Sequence, residues 1–304
     1  MAKRIKSITS HRAEIGSFEK EKTSTFFRYQ VKEFNDQGLI TREAEFKPNT
    51  MMDVETIYEY DDKHNLLSRA TYYCQEDTLE KLAHLYDESG RKIADENYFG
   101  EDLFEKVIYK YDEKGNAIAQ IRMDEDDNEI EKQIIEYSQE GKVLKQFNFS
   151  AAEPDRTIEF IYDESGRCIK EIHSKTGNNI PETIEYSYNE GGKRTSSTTF
   201  DHQGNTIGYI DVEYDDKMNP VKYSSETSGF YNSKSINEIV YDEQGRVVEN
   251  EFFDVHNNFL MSKEKYVYDE NGNIIEEEIF ETNPMAGLKK THYRLRLEYD
   301  FHKE

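Results

Sequence analysis

One short line, Tyr-Asp-x-x-Gly, recurs along the chain at nearly constant intervals. The stretches YDEQGRVVENEFF (241–253) and YDENGNIIEEEIF (268–280) lie 27 residues apart. The glycine position of the line recurs ten times, at intervals of 25 to 27 residues. The ten positions are Gly38, His64, Gly90, Gly115, Gly141, Gly166, Gly192, Met218, Gly245 and Gly272. A fixed period of this length is the sequence signature of a tandem array.

Each repeat has the pattern of a β-hairpin. The residue four places before the glycine position is aromatic in all ten repeats, and the residue two places further back is mostly apolar. The recurrence of aromatic and apolar residues at every second position predicts a strand. A Leu, Ile or Val three places after the glycine in most repeats marks the returning strand. An Asx-turn and a positive-φ glycine would close the hairpin. The structural turn residues are Asp61, Asp87, Asp112, Asp163, Asp215, Asp242, Asp269, Gly90, Gly115, Gly166, Gly245 and Gly272.

The predicted fold is all-β, with about ten antiparallel hairpins and about 20 strands in one continuous curled, twisted sheet or open spiral. Apolar residues make up 35% of the chain and aromatic residues 13%, which favours a thin sheet with one aromatic face over a thick core. The array is assigned to residues 30–280, with capping strands in 1–29 and 281–304. Both ends are basic, and two basic edge strands would repel each other and discourage end-to-end polymerisation.

The net charge of −24 argues against binding to duplex DNA or to an anionic membrane, since both need Lys and Arg contacts. It allows a basic protein partner, a bound cation or simple solubility. Only Cys74 and Cys168 are present, and no CxxC motif occurs, so neither a disulfide scaffold nor a cysteine metal cluster is indicated. Without a signal-peptide or transmembrane pattern, a cytoplasmic protein is expected.

The lines YDESGRKI, YDESGRCI and YDEQGRVV resemble the YD or RHS repeat of bacterial secreted toxins and related surface proteins. The resemblance covers residues from about 30 to 280. It implies a spiral β-sheet that encloses a cargo polypeptide, with the functional chemistry outside the repeats. No DPxG-type autoproteolytic motif and no toxin domain follow the repeats. A free-standing YD-repeat domain is therefore expected.

The sequence offers no catalytic constellation. No HExxH, GxSxG, Walker A or GxGxxG motif occurs. The stretch Asp124-Glu125-Asp126-Asp127 begins like a calcium loop, but Glu129 stands where an EF-hand needs glycine, so no metal or cofactor is predicted. These four residues, and Pro284 and Met285 in a longer segment before the last strand, are the candidates for contact with a partner.

The sequence predicts a non-enzymatic interaction or scaffold module that binds a protein partner, with a basic partner among the options. One alternative is an immunity or antitoxin-like protein that neutralises a basic toxin through charge complementarity. A second is carbohydrate or small-ligand binding on the tyrosine-rich face, and a DNA mimic is also conceivable. The sequence leaves the oligomeric state open.

Overall fold

The structure, a computed structural model, describes residues 4–15, 25–228, 232–283 and 289–303. Within these ranges every regular element is a β-strand, and every strand pairing reported below is antiparallel, which confirms the predicted fold class. The described ranges contain no helix long and apolar enough to cross a membrane. The strands are β1 (Ile5–Glu14), β2 (Phe27–Phe34), β3 (Ile40–Phe46), β4 (Met52–Tyr60), β5 (Leu66–Tyr73), β6 (Thr78–Tyr86), β7 (Lys92–Phe99), β8 (Asp102–Tyr111), β9 (Ala117–Asp124), β10 (Glu129–Tyr137), β11 (Val143–Ser150), β12 (Arg156–Tyr162), β13 (Cys168–Lys175), β14 (Asn178–Tyr188), β15 (Arg194–Phe200), β16 (Thr206–Tyr214), β17 (Pro220–Thr227), β18 (Ser233–Tyr241), β19 (Val247–Asp254), β20 (Phe259–Tyr268), β21 (Ile274–Asn283) and β22 (Lys289–Phe301).

The chain divides into two compact units. Unit 2 runs from Ile57 to Tyr209, and unit 1 combines Met1–Thr56 with Ile210–Glu304. In unit 2, strands β5 to β15 form a meander in which each strand pairs with the next. All Tyr-Asp-x-x-Gly turns of the meander therefore lie at one end of its strands, and the second turns lie at the opposite end.

Unit 1 brings the two ends of the chain together. Its strand order is β17-β18-β19-β20-β21-β22-β1-β2-β3, so β1 lies between the last strand and the second. Ile8 pairs with Tyr299, and Thr9 pairs with Glu298. The predicted open spiral with two separate end strands is therefore wrong at the termini.

Carboxylates on neighbouring strands explain why two basic ends can pair. Arg294 on β22 lies 2.7 Å from Glu278 on β21, and Arg296 lies 3.2 Å from Glu276 on the same strand. On the other side of β22, Lys6 of β1 lies 3.7 Å from Asp300. These three of the positive charges that were expected to keep the end strands apart are neutralised by acids on strands next to them.

Few of the described residues are fully shielded from solvent. The buried apolar residues among them are Ala13, Val31, Ala44, Ala94, Val107 and Ile121, and none of their large side chains is fully buried. Most strand residues are half-buried, as the sequence predicted for a thin sheet. Backbone pairing between neighbouring hairpins, rather than a thick apolar core, therefore joins one repeat to the next.

Candidate functional site

The aspartate of each Tyr-Asp-x-x-Gly line organises its turn. In the third repeat, the Asp87 backbone N–H donates to the Arg91 carbonyl at 2.9 Å, and the Gly90 N–H donates to the Asp87 carbonyl at 2.9 Å. The Asp87 carboxylate accepts the backbone N–H groups of Ser89 and Arg91, both at 2.9 Å. Hydrogen bonds from Ser89 and Arg91 lower the pKa of Asp87, so it is ionised at neutral pH. The aspartates of this column are thus committed to the turns.

The residue after the glycine completes the turn, and sequence reasoning did not identify its role. The Arg91 Nε donates to the second carboxylate oxygen of Asp87 at 2.8 Å, and the Asn65 Nδ2 donates to Asp61 in the same way at 2.8 Å. This fifth turn position is arginine or asparagine in most repeats, and that recurrence was visible in the sequence. The residues that make this bond are Asn65, Arg91, Asn116, Arg167, Asn219, Arg246 and Asn273.

The tyrosine before each aspartate connects one repeat to the preceding one. The hydroxyl of Tyr86 donates to the Leu66 carbonyl at 2.9 Å, and the hydroxyl of Tyr111 donates to the Lys92 carbonyl at 2.6 Å. The guanidinium of Arg91 also lies 5.3 Å from the Tyr111 ring centroid. These hydroxyls already have partners within the protein, and burial raises the pKa of Tyr86.

The predicted partner-contact residues fall into two groups. Asp124 ends β9 and accepts the backbone N–H groups of Asp126 and Asn128 at 3.0 and 2.8 Å. A turn with the same hydrogen bonds as the Tyr-Asp-x-x-Gly turns therefore occurs here, at the opposite end of the strands of unit 2. Asp127 takes the glycine position with φ of 60°, and Glu125 and Asp126 are exposed. The described residues contain no group of three or more His, Cys, Asp or Glu able to hold a metal. Pro284 and Met285 lie outside the described residues.

The Tyr-Asp-x-x-Gly turns of each unit form an acidic rim. We use this name for the exposed acids at the turn tips, which are Asp62, Glu88, Glu113, Glu140, Glu164 and Glu190 in unit 2 and Asp36, Asp216, Glu243 and Glu270 in unit 1. Within the described part of the chain, Glu88, Glu113 and Glu164 form no ion pair. The turn cations are engaged elsewhere, since Arg167 binds Asp163, and Lys114 donates to the Gln139 carbonyl at 3.1 Å.

A row of aliphatic side chains lies beside the acidic rim of unit 2. Register shifts beside Tyr86 and Tyr162 mark a β-bulge at each of these hairpins. At several hairpins of unit 2, the residue before the tyrosine or the residue three places after the glycine is aliphatic, lies on the face opposite the tyrosines and is 36 to 43% exposed. We call this row the aliphatic band, and it comprises Leu67, Leu85, Ile93, Leu144, Ile161 and Ile169.

A polar cluster lies on the tyrosine face of unit 2. The His84 Nδ1 lies 2.5 Å from Asp95 Oδ1, while Tyr109 and Lys92 donate to Asp95 Oδ2 at 2.6 and 2.9 Å. Burial acts to raise the pKa of Asp95, but the hydrogen bonds from Tyr109, Lys92 and His84 outweigh it and lower the pKa. The largely buried His84 side chain is thus paired with a carboxylate.

A concavity of about 850 Å³ lies on the same face of unit 2, over strands β9 to β14. One cross-strand row runs through its lining, namely Gln120, Gln133, Asn148, Arg156 and Lys175. Each residue is directly opposite the next on the neighbouring strand. The row therefore has three carboxamide side chains at one end and two cationic side chains at the other. Sequence reasoning missed this row because it depends on the register of five strands.

Comparison with known proteins places the repeat in a family. A protein-family model described as "Uncharacterised protein" matches residues 72–224, which is half of the chain. The chain belongs to this family. The matched range covers most of unit 2, including all strands that line the concavity. A search of curated proteins found no significant match.

Several solved structures are similar to the chain at low sequence identity. A chain of the TcdB2-TccC3-Cdc42 structure is 14% identical with a TM-score of 0.36, covering 84% of this chain and 15% of that chain. A chain of TcdB2-TccC3 is 11% identical with a TM-score of 0.37, covering 93% of this chain and 20% of that one. A porin-like protein from Bacteroides uniformis is 10% identical with a TM-score of 0.34, covering 97% of this chain and 98% of that one. This chain thus spans a fifth or less of the two TcdB2-TccC3 chains, and likenesses with TM-scores below 0.5 assign it no function.

Proposed function

We propose that the protein is a non-enzymatic interaction module that docks a basic protein partner on the acidic rim of unit 2. The observation that carries the proposal is the series of turn-tip acids, exposed in every repeat, of which Glu88, Glu113 and Glu164 have no ion-pair partner among the described residues. Complementary charge of this kind increases the association rate and selects basic partners over acidic ones.

The aliphatic band supports a protein rather than a free cation as the partner. Leu85 and Ile93 flank the turn that carries Glu88, and Ile161 and Ile169 flank the turn that carries Glu164. Apolar side chains exposed next to charged groups are typical of protein contact sites. A partner with alternating basic and apolar side chains would satisfy both features.

The repeat also sets the spacing of the contacts. Neighbouring tips within a unit are separated by two strands, which corresponds to about 10 Å. A partner that contacts several tips gains from each of them, so its affinity falls steeply with added salt. An immunity protein that neutralises a basic toxin is one specific form of this proposal.

The test compares two variants of equal charge. The rim variant carries Glu88→Gln, Glu113→Gln and Glu164→Gln, and the control variant carries Glu76→Gln, Glu101→Gln and Asp155→Asn at exposed second turns at the opposite end of the strands. Binding of a fluorescent oligolysine of about 20 residues is measured by anisotropy over a salt series. We expect the dissociation constant to increase about tenfold for the rim variant and less than about twofold for the control.

Equal weakening in the two variants would indicate attraction by overall charge and would contradict a specific rim. Absence of binding to the unmodified protein at low salt would contradict the proposal as a whole. Purification of the three proteins from the native host then identifies the partner, which should be retained by the control variant and lost from the rim variant.

A further inference from the structure

The concavity of unit 2 contains a charge arrangement that packing alone does not explain. Arg156 on β12 and Lys175 on β13 are directly opposite each other, and both line the concavity. Like charges in directly opposite positions of an antiparallel pair destabilise a sheet. This pair occurs in a chain with a net charge of −24, where acids to separate the two cations are plentiful.

The nearby acids neutralise this cation pair only in part. The guanidinium of Arg156 contacts Glu153 on the preceding turn, whereas Lys175 forms no ion pair with any described residue. Glu131, which also lines the concavity, lies 3.3 Å from Arg122. Glu182 is exposed and lies opposite His173, which is two residues before Lys175 on β13. A net positive charge therefore remains where the two cations meet.

The other half of the row offers groups that both donate and accept hydrogen bonds. The Asn148 Oδ1 accepts from Gln133 Nε2 at 3.1 Å and from Gln146 Nε2 at 3.0 Å. Both N–H groups of the Asn148 amide and the Gln133 carbonyl oxygen have no described partner. A concavity whose wall carries a few polar groups with free hydrogen-bonding capacity is a common form of small-molecule site.

We propose that this row binds an elongated small molecule with an oxyanion at one end. The oxyanion, a carboxylate or a phosphate, lies between Arg156 and Lys175, where it relieves the repulsion between them. The polar body of the ligand extends along Asn148 and Gln133, whose carboxamides match groups that donate and accept hydrogen bonds. The site is on the tyrosine face of the sheet, whereas the aliphatic band lies on the other face, so this function is separate from docking at the acidic rim.

Isothermal titration calorimetry with pyrophosphate and with citrate, at constant ionic strength, tests the proposal. We expect millimolar or tighter binding of at least one of the two, and the one that binds identifies the oxyanion. Lys175→Gln and Arg156→Gln are each expected to weaken that binding about tenfold, because each removes one charged hydrogen-bond donor.

Lys170→Gln is the matched control. Lys170 is on the same strand as Lys175, but its side chain points to the opposite face and lies 2.9 Å from Glu185. This variant should bind the anion within about twofold of the unmodified protein. The proposal is overturned if neither anion binds at about 20 mM, or if Lys170→Gln weakens binding as much as Lys175→Gln does.

Discussion

The hydroxyl of Tyr268 donates a 2.7 Å hydrogen bond to the backbone carbonyl of Val247, at the start of the returning strand of the preceding hairpin. The guanidinium of Arg246 lies 4.4 Å from the centroid of the same ring and also binds Asp242 of its own turn. One repeat thus holds the tyrosine of the next through a hydrogen bond and a cation–π contact. This relationship explains why the tyrosine, the aspartate and the arginine of the line occur together.

Replacing Tyr268 by Phe should lower the free energy of unfolding by about 1 kcal/mol, because the Val247 carbonyl loses its donor while the ring stays. Urea denaturation measures the change. Tyr72→Phe is the control, since the Tyr72 hydroxyl binds Asp77 at the exposed end of its own hairpin, at 2.5 Å. A loss for Tyr72→Phe as large as that for Tyr268→Phe would contradict the role assigned to the bond between repeats.

Two substitutions, one that removes a glycine and one that introduces a glycine, test the turn position that has a positive φ. Gly90 has φ of 84° and open space where a Cβ would lie, so Gly90→Ala should cost about 1 kcal/mol through backbone strain alone. His64 occupies the same turn position with φ of 68°, and His64→Gly should therefore leave stability unchanged or raise it by up to about 1 kcal/mol. Thermal denaturation of the two variants checks the signs, and a loss of stability in His64→Gly would contradict the interpretation.

Stability should fall in acid because the turn aspartates have lowered pKa values in the folded protein. The hydrogen bond from the Asn65 side chain is the main cause for Asp61, and the corresponding bonds from Asn116 and Asn273 are the main causes for Asp112 and Asp269. A carboxyl whose pKa is lower in the folded than in the unfolded state stabilises the fold above the unfolded value, about pH 4, and this contribution is lost as the pH falls below it.

The melting temperature measured between about pH 7 and about pH 3 should therefore fall less in a variant with Asp61→Asn, Asp112→Asn and Asp269→Asn. Asparagine keeps the acceptor oxygen but does not titrate, and Asn35 already fills this role in the first repeat, where its Oδ1 accepts the Leu39 N–H at 2.9 Å. Identical pH profiles for the two proteins would exclude these aspartates as the cause of acid destabilisation.

The pairing of β1 with β22 can be tested by cross-linking. Thr9 and Glu298 are opposite each other, and residues opposite each other in an antiparallel pair have Cα atoms about 4.5–5.5 Å apart, within disulfide reach. In a background with Cys74→Ser and Cys168→Ala, the pair Thr9→Cys and Glu298→Cys should form a disulfide under mild oxidation. The pair Thr9→Cys and Arg296→Cys, two residues out of register, should form little. Similar yields for the two pairs, measured by mass spectrometry after proteolysis, would contradict the register.

The turns and strands could be predicted from the sequence because their causes are local. An aspartate such as Asp87 contacts backbone groups two and four residues ahead, so a single line of sequence contains the whole interaction. The alternation of Tyr86 and His84 on one face with Leu85 on the other follows from strand geometry alone. The resemblance to YD repeats rests on this same local motif.

The remaining features depend on residues far apart in the sequence. The pairing of Ile8 with Tyr299 could not be inferred, because the basic character of the ends suggested repulsion, and only the register with β21 shows which acids neutralise them. The row from Gln120 to Lys175 depends on the register of five strands, and each bulge shifts that register. Such shifts are not encoded in the period of the repeat.

The position of β1 between β2 and β22 has a consequence for synthesis. The ribosome makes β1 shortly before β2 and long before β22, so β2 can cover one edge of β1 early while the other edge waits for β22. Until β22 is made, the nascent chain therefore carries an unpaired strand edge, which is a template for aggregation. Among the described pairings, the one between β1 and β22 joins the residues farthest apart in the sequence, so chaperone dependence and slow maturation should be traced to β1 rather than to the regular hairpins between.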